Sequence, residues 1–336
     1  MAVDIMNQQV QNEQYTVTLI VINNSYSCEV LQGLDPRVRV ILLDRHKSLV
    51  NTLVKILELN VLLYRLRIDV LHSHDCNVSR IVVPYPRLSR VLTVHDVGLN
   101  LKYAGCYDRI VAISEAVRKD IRNVSKEVEL VLNGIDFHGI TKKNKESKRA
   151  SPRKLRIAHV GRIVFQKKAQ DWSLRAFKRW SEHFDSLELV FFGEGENLDE
   201  LKELVDAYEL GDSVSIQEGM SRREIYKSLH KFDILVLPSH FEGFGLALIE
   251  GMAAGLVVIA SDCDGPGEII CHGENGFLFE RQSFRSFCEV GLAIIQQFDN
   301  PQLLEIARKG QNDVLEKYDI RRTAQQYLEI YKDVRS

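Results

Sequence analysis

The sequence lacks the patterns that define several protein classes. Its six cysteines are scattered, with no C-x-x-C pair and no cysteine–histidine pair at metal-ligand spacing, which argues against a disulfide framework and a zinc site. No basic start leads into an apolar leader, and no window reaches the roughly 20 apolar residues of a membrane span. A formal net charge of −2 argues against a surface built to hold nucleic acid. We expect a cytoplasmic protein, soluble or peripheral at the inner face of the plasma membrane.

The composition is typical of two globular domains. The chain has 336 residues, of which 45% are hydrophobic and 27% are charged. It is too long for one compact core and too apolar to be disordered. Residues 141–156 carry eight basic side chains and one acidic side chain, without apolar periodicity. This pattern predicts an exposed basic linker over 141–154. We therefore expect domains over 1–140 and 155–318, and a final helix over 319–336 that packs back on the first domain.

Short β-branched runs alternate with helical segments in both halves of the chain. Examples are Thr16–Ile22 and Asp69–His72 in the first half, and Leu155–Val160 and Leu187–Phe192 in the second. Nearly continuous apolar strands indicate parallel sheets covered by helices on both faces. The predicted fold class is α/β, with two Rossmann-like domains that face each other across a cleft. Such domains bind ligands beyond the carboxyl ends of their strands, so we expect the functional site there.

The segment Leu237–Gly255 combines a strand end, a glycine-bracketed turn and an apolar helix predicted from about Leu246 to Ala254. A helix N-terminus presents backbone N–H groups to anionic or hydroxyl-rich ligands. Glu242 in the turn and Glu250 in the helix supply carboxylates that accept hydrogen bonds from sugar hydroxyls. Burying Glu250 in so apolar a helix without a partner is costly, which disfavours an incidental role. The backbone candidates for the ligand are Gly243, Phe244, Gly245 and Leu246.

A second motif places two cations after a strand. Gly161 follows the predicted strand Leu155–Val160, and Arg162 and Lys167 lie five residues apart. A guanidinium fork with a nearby ammonium neutralises the charge of a diphosphate leaving group without a metal ion. The alternative is an ordinary pair of surface cations at a strand end.

These motifs together resemble those of the GT-B fold retaining glycosyltransferases of glycosyltransferase family 4. The family's E-x7-E motif is present as Glu242 and Glu250, followed by Ala260–Asp262 and Gly265–Glu268. The resemblance is strongest between about Ile157 and Phe279 and continues at lower specificity to the end of the chain.

The resemblance implies a role for each motif residue. Glu242 is expected to contact hydroxyls of the donor sugar, and Glu250 the ribose of the nucleotide. Arg162 and Lys167 match the residues that bind the pyrophosphate, although Lys168 stands where the family usually has glycine. Which of the two lysines reaches the phosphate stays open.

A Gly-x-Gly turn follows the strand Leu187–Phe192. It is not a complete dinucleotide fingerprint, since Leu198 stands where the third glycine is required. The resemblance implies a backbone contact with the nucleotide from Gly193 or Gly195, and a plain strand-to-helix turn is the equal alternative.

Several predicted strands of the first half end in polar residues. His95 matches the family histidine that faces the reacting sugar and is therefore a candidate site residue. His72, His74 and Asp75 follow a neighbouring strand. They are either further site residues or strand-end groups bonded to the local backbone.

The resemblance implies transfer of a sugar from a UDP- or GDP-linked donor to a glycan or lipid-linked glycan. The expected pathway is the assembly of surface polysaccharide, lipopolysaccharide or glycolipid, with no cofactor, no metal ion and no nucleic acid partner. One alternative is a nucleotide-sugar-binding protein with little or no transfer activity. The other is a GT-B epimerase, a class that lacks the E-x7-E motif.

The segment Leu49–Leu66 is strongly apolar and is surrounded by basic residues. A core-packed helix with cations reaching to solvent is the favoured interpretation. Contact of this helix with an anionic membrane, as related enzymes make through their acceptor domains, is the alternative.

The start of the chain has helical spacing at Val3, Met6 and Val10, whereas family members open with an apolar strand and a Gly-Gly loop. We expect the N-terminal domain to lack its first, central strand. The result is either a gap in backbone pairing or a rearranged sheet in which Thr16–Ile22 pairs directly with Asp69–His72. A genuinely shorter domain is the alternative.

Overall fold

The computed structural model describes residues 1–124, 126–143 and 154–335, and the chain divides into two compact units. Unit 1 consists of Met1–Ile135 and Tyr318–Ser336, and unit 2 of Asp136–Lys317. All strand pairs in the described residues are parallel, as the apolar strand patterns predict.

The elements follow one another in the alternating order of an α/β fold. The first part of unit 1 contains α1 (Ala2–Gln9), β1 (Thr18–Asn23), α2 (Cys28–Gln32), β2 (Arg39–Arg45), α3 (Leu49–Arg65), β3 (Val70–Ser73), β4 (Ser89–Val94), β5 (Arg109–Ala112), α4 (Glu115–Asp120) and β6 (Val128–Leu130). Unit 2 contains β7 (Leu155–Val160), α5 (Phe165–Lys168), α6 (Gln170–Ser181), β8 (Leu187–Phe192), α7 (Leu198–Ala207), β9 (Val214–Gln217), α8 (Arg222–Ser228), β10 (Ile234–Leu237), α9 (Leu246–Ala254), β11 (Val257–Ser261), α10 (Asp264–Ile269), β12 (Phe277–Phe279), α11 (Phe284–Gln296) and α12 (Pro301–Lys317). The last helix, α13 (Ile320–Asp333), belongs to unit 1.

Unit 2 is built on a six-stranded sheet with the order β12-β11-β10-β7-β8-β9. All residues of β10 and β11 are buried, because helices pack against this apolar sheet. Trp180, Phe177, Phe191 and Phe287 are the largest fully buried side chains of its main apolar cluster. The strand order reverses between β7 and β10. In open α/β sheets the crevice at such a reversal is where ligands bind.

Unit 1 contains two separate sheets. Strand β1 pairs with β2, and β3 to β6 form a four-stranded sheet. Of the two expected arrangements, direct pairing of Thr16–Ile22 with Asp69–His72 is therefore wrong. The structure has the gap in backbone pairing instead, because among the described residues β1 pairs only with β2, and β3 only with β4.

Helix α13 completes the core of unit 1. Its Thr323 hydroxyl donates a hydrogen bond of 2.9 Å to the Leu132 carbonyl, and its apolar face packs with α1 and with the inner strands. The buried residues of this cluster are Ile5, Val91, Val111, Val131, Ile320, Ala324, Tyr327 and Ile330.

The segment predicted as a basic linker lies partly outside the described residues, which leave out 144–153. Its first residues belong to unit 2. The Thr141 backbone N–H donates to the Tyr226 carbonyl at 3.3 Å, and the Lys143 ammonium pairs with Asp233 at 2.6 Å. The unit boundary therefore falls before the basic segment, between Ile135 and Asp136.

The favoured prediction of a core-packed helix over Leu49–Leu66 is wrong. Helix α3 buries only Leu59 and Leu63, and Leu49 is 80% and Leu57 67% exposed. A helix that covers one face of a sheet buries one stripe of side chains. Apolar residues on the rest of the helix surface therefore face solvent. The other exposed apolar side chains of α3 are Val50, Leu53, Val54, Val61 and Tyr64.

A helix that spans a membrane must be both long and apolar. No helix within residues 1–124, 126–143 and 154–335 is both long and apolar enough to cross a bilayer.

Candidate active site

The motif residues of unit 2 collect around the reversal of strand order. Gly161 and Arg162 follow β7, and the turn with Glu242 follows β10. The carboxyl ends of neighbouring parallel strands lie at one edge of the sheet, so chain order brings these two segments together.

Glycines hold the turn that precedes α9. Gly245 has φ +103°, a left-handed conformation that L side chains rarely adopt, and it caps the helix. The Gly265 N–H donates to the Glu242 carbonyl at 2.9 Å, and a Cβ at Gly265 would overlap the Phe244 backbone. The start of α10 can therefore pack directly on the turn, which fixes the main chain of Glu242.

Glu250 is 7% exposed, and its partners come from α8. The Tyr226 hydroxyl donates a hydrogen bond of 2.8 Å to Glu250 Oε1, and Arg222 Nε lies 3.4 Å from the same oxygen. Burial raises the pKa of Glu250, while Arg222 and Tyr226 act in the opposite direction. Burial and the Glu250 charge also raise the pKa of Tyr226. These contacts supply the partner that a carboxylate on an apolar helix requires.

Glu242 forms an ion pair with Lys168, and both side chains are largely buried. Lys168 occupies the position where the family usually has glycine, so this pair is a consequence of the departure from the motif. The main chain of Lys167 also contacts the strand end, because its carbonyl accepts hydrogen bonds from the N–H groups of His240 and Phe241. Both lysines therefore lie beside the turn.

Backbone contacts fix the loop that carries Arg162. The Ile163 N–H donates to the Glu194 carbonyl at 2.9 Å, and the Gly161 N–H to the Phe192 carbonyl at 3.0 Å. A Cβ at Gly195 would lie 2.7 Å from the Ile163 carbonyl carbon, which is closer than van der Waals contact allows. Glycine at this position therefore lets two loops lie backbone to backbone, and that contact positions Arg162.

Gly193, the other glycine of this turn, also lies close to the backbone of a neighbouring loop. A Cβ at Gly193 would overlap the Gly161 backbone, and the Gly193 N–H donates to the Gln217 carbonyl at 3.2 Å. This packing gives Gly193 and Gly195 a structural role in the strand-to-helix turn.

Three histidines of unit 1 lie side by side at the ends of β3 and β4. His74 Nδ1 is 2.7 Å from His95 Nε2. His72 lies between the hydroxyls of Tyr331 on α13, at 2.6 Å, and Thr93 on β4, at 2.8 Å, so side chains distant in the sequence hold it and not the local backbone. Asp75 accepts hydrogen bonds from the Asn77 backbone N–H and side chain, and it caps the following turn.

Burial favours the neutral form of all three histidines. Burial lowers the pKa of His95, and burial together with the His95 charge lowers the pKa of His74 to about 4. Burial and the charges of His74 and His95 hold the pKa of His72 well below its ordinary value. A neutral ring can donate and accept one hydrogen bond each, so His95 can bind a hydroxyl group.

The sequence alone does not show that Arg222 and Tyr226 contact Glu250, or that Lys168 pairs with Glu242. The two α8 residues are four positions apart and share one helix face, but only the fold shows that this face meets Glu250. Within the part of the chain that the structure describes, no group of three or more His, Cys, Asp or Glu side chains could hold a metal ion.

Comparisons with known proteins agree with this description. A family model described as Glycosyl transferases group 1 matches residues 140–311, just over half of the chain. An uncharacterized glycosyltransferase of Haemophilus influenzae is 28% identical over 211 residues, which are 62% of this chain and 57% of that protein. One from Methanocaldococcus jannaschii is 25% identical over 305 residues, which are 79% of this chain and 75% of that protein. The chain thus spans little more than half the length of the first relative.

Solved structures share the fold at low sequence identity. A glycosyltransferase from Rickettsia africae has a TM-score of 0.78 at 15% identity, over 98% of this chain and 93% of that one. The Anabaena protein HepE, solved with UDP and glucose, has a TM-score of 0.79 at 15% identity, over 98% and 94%. Since the family model covers more than half of the chain and the folds agree, this protein belongs to the family Glycosyl transferases group 1 and has the GT-B fold of two Rossmann-like domains.

Proposed function

We propose that this protein transfers a sugar from a UDP- or GDP-linked donor to an acceptor hydroxyl, with retention of the anomeric configuration. The observation that carries the proposal is the placement of Arg162, Glu242 and Glu250 around the strand-order reversal of unit 2. The HepE complex, which shares the fold, contains UDP and glucose and supports a nucleotide-sugar donor.

Each residue has a role that fits its surroundings. Glu250 accepts hydrogen bonds from the ribose, because Tyr226 and Arg222 hold its buried carboxylate in place. Glu242 accepts hydrogen bonds from the donor sugar, and Lys168 fixes the carboxylate from the other side. The guanidinium of Arg162 stabilises the negative charge that develops on the departing diphosphate. Lys167 adds a second positive charge, and no metal ion is needed for this step.

The other predicted contacts extend the same scheme. The backbone of Gly243, Phe244, Gly245 and Leu246 lies at the α9 N-terminus, where N–H groups favour the diphosphate. His95 binds a hydroxyl of the reacting sugar through its neutral ring. Attack by the acceptor occurs on the face from which the diphosphate leaves, and a phosphate oxygen accepts the acceptor's proton. We assign no carboxylate the role of nucleophile on the opposite face.

We propose a glycan or lipid-linked glycan as the acceptor and surface polysaccharide or glycolipid assembly as the pathway. A Staphylococcus aureus relative named poly(ribitol-phosphate) α-N-acetylglucosaminyltransferase, 25% identical over 66% of this chain, supports a glycan acceptor. The exposed apolar face of α3, with Lys47, Lys55 and Arg65 beside it, supports contact with an anionic membrane. Sedimentation with vesicles containing anionic lipid tests this contact, and Leu57→Glu, at an exposed position, should abolish it.

Incubation with a panel of nucleotide sugars and acceptors tests the main proposal. Transfer with retained configuration, unaffected by EDTA, is the expected result. Epimer formation indicates the nucleotide-sugar epimerase instead, and binding without turnover indicates a nucleotide-sugar-binding protein. Loss of activity with EDTA and recovery with magnesium or manganese contradicts the metal-independent step.

Variants connect the activity to the site. Glu250→Ala should weaken donor binding more than Glu242→Ala, because the ribose contact is made equally in the ground and transition states. Glu289→Gln, at an exposed carboxylate on α11, is the matched control. Unchanged kinetic constants in both site variants contradict the assignment.

A further inference from the structure

Asp264, the first residue of α10, has a backbone conformation that is rare for a residue with a side chain. Its φ is +25°. This value lies outside the regions that L-residues ordinarily occupy, and the nearest of these begins at about +50°. Glycine adopts such conformations readily, because it has no Cβ. Backbone strain of this kind clusters at functional sites, so the side chain of Asp264 calls for an explanation beyond the local fold.

The carboxylate of Asp264 is also poorly paired. Its Oδ1 atom lies 3.6 Å from Arg281 Nη1, an ion-pair distance that is too long for a hydrogen bond. Its Oδ2 atom is buried and accepts no hydrogen bond from the described residues. A buried oxygen that lacks a donor destabilises the fold, and most buried polar groups in proteins are paired. A ligand that supplies a donor would relieve this second unfavourable feature.

The contacts around Asp264 place it beside the turn with Glu242. The N–H of the next residue, Gly265, donates to the Glu242 carbonyl at 2.9 Å. Arg281 Nη2 donates to the main-chain carbonyl two residues before Glu242, at 3.5 Å. Burial raises the pKa of Cys263 to about 11, and the charges of Asp264 and Glu242 act in the same direction. Both carboxylates therefore lie near the same thiol.

Cations balance the two carboxylates around this turn. Lys168 pairs with Glu242, and Arg281 lies next to Asp264. The four side chains together carry no net charge, and a second carboxylate from a ligand would meet Asp264 as a like charge. A carboxylate accepts hydrogen bonds, and a sugar hydroxyl donates them. Because the last torsion of an aspartate side chain is broad, the carboxylate of Asp264 can turn its unpaired oxygen toward such a hydroxyl.

We propose that Asp264 is a specificity-determining residue for the donor sugar. Its carboxylate accepts a hydrogen bond from one hydroxyl of a neutral sugar, and the site discriminates against donors whose sugar lacks this hydroxyl or carries a carboxylate. Arg281 is a positioning residue, because its guanidinium bridges Asp264 and the turn. The assignment rests on the proposed function, in which Glu242 binds the donor sugar.

Calorimetry with matched ligands tests the sugar contact. Free UDP or GDP and the corresponding nucleotide sugar are titrated into the wild-type chain, Asp264→Asn and Asp264→Gly. We expect Asp264→Gly to weaken binding of the nucleotide sugar by about 10- to 100-fold, as for loss of a hydrogen bond to a charged group, and to leave the affinity for the free nucleotide unchanged. Asp264→Asn keeps an acceptor oxygen and tolerates a positive φ, so its loss should be smaller.

Donor analogues identify what Asp264 recognises. One monodeoxy analogue of the preferred donor should bind the wild-type chain about 10- to 100-fold more weakly than the parent, and this difference should disappear in Asp264→Gly. A donor with a uronic acid should bind Asp264→Asn more tightly than the wild-type chain, because the like charge is removed.

Thermal unfolding separates a role in specificity from a structural one. Asp264→Gly removes the backbone strain and the unpaired oxygen, so its unfolding midpoint should rise by about 2 °C or more. Glu209→Gly is the matched control, since Glu209 has φ +57° at an exposed position after α7. This control should also raise the midpoint, and it should leave the affinity for the nucleotide sugar unchanged.

The outcomes distinguish this assignment from the proposed function. A wild-type chain that binds neither nucleotide nor nucleotide sugar contradicts the proposed function and the role of Asp264 with it. If the wild-type chain binds the nucleotide sugar and Asp264→Gly keeps the same affinity and the same discrimination among analogues, the role of Asp264 alone is overturned. A lower midpoint in Asp264→Gly, with equal weakening of free nucleotide and nucleotide sugar, indicates a structural residue and also overturns it.

Discussion

Replacing Gly195 by alanine tests the backbone contact that positions Arg162. The new Cβ would overlap the carbonyl oxygen of Ile163 and would lie 2.7 Å from its carbonyl carbon and 2.8 Å from its nitrogen, whereas ordinary van der Waals contact begins at 3.4 Å. Because the opposing atoms belong to the main chain, the two loops must separate by at least about 0.7 Å. The bond from the Ile163 N–H to the Glu194 carbonyl then lengthens from 2.9 Å to at least about 3.6 Å, beyond hydrogen-bond range.

The expected loss of stability follows from these two effects. The broken hydrogen bond costs about 1 kcal/mol, and the steric strain about 1–3 kcal/mol. The total of about 2–4 kcal/mol lowers the unfolding midpoint of a unit of this size by roughly 4–16 °C. Gly211→Ala is the matched control, because a Cβ at that position meets no atom within 4 Å.

Thermal unfolding by circular dichroism and donor binding by calorimetry measure the two consequences. Gly195→Ala should unfold at a lower temperature than Gly211→Ala and should bind the nucleotide more weakly, since Arg162 moves with its loop. Midpoints for the two variants that agree within about 1 °C would show that the loops separate without strain, and the reasoning would be refuted.

Three further perturbations test other parts of unit 2. Arg162→Ala should lower turnover by roughly 100-fold, as expected when one preorganised charge stabiliser is removed, and steady-state kinetics measure it. Nucleotide affinity should fall as the pH drops through the raised pKa of Glu250, because the protonated carboxyl accepts fewer hydrogen bonds. The Tyr226 hydrogen bond lowers the pKa of Glu250, so in Tyr226→Phe the loss of nucleotide affinity should occur at higher pH. Calorimetry at a series of pH values measures this shift. Lys143→Met removes the ammonium that pairs with the buried Asp233. The free energy of unfolding, measured with denaturant, should therefore fall by about 3 kcal/mol, and a loss below about 0.5 kcal/mol contradicts this.

The sequence predicts the local elements of unit 2 well. Strands β7 and β8 have the predicted bounds, and α9 runs from Leu246 to Ala254 as expected. These elements follow from contiguous β-branched runs and from a glycine turn, both of which are local in the chain.

Contacts between distant segments could not be predicted in the same way. Lys168 pairs with Glu242, 74 residues further along the chain, and Tyr226 meets Glu250 only because α8 packs beside α9. The exposure of α3 was missed for a related reason. Apolar periodicity shows that a helix has an apolar surface, but it does not show how much of that surface a neighbour covers. The pairing of β1 likewise depends on which strand is available beside it.

Helix α13 has a consequence for how this protein is made. Unit 1 needs Ile320, Ala324 and Tyr327 for its core, yet these residues are synthesised after the whole of unit 2. At about 5–20 residues per second, a ribosome takes roughly 10–40 s to add the 182 residues from Asp136 to Lys317. Unit 2 is continuous in the chain and can fold as soon as it emerges. Residues 1–135 must meanwhile keep an incomplete apolar core in the crowded cell, where chaperones bind such surfaces, until the last helix arrives.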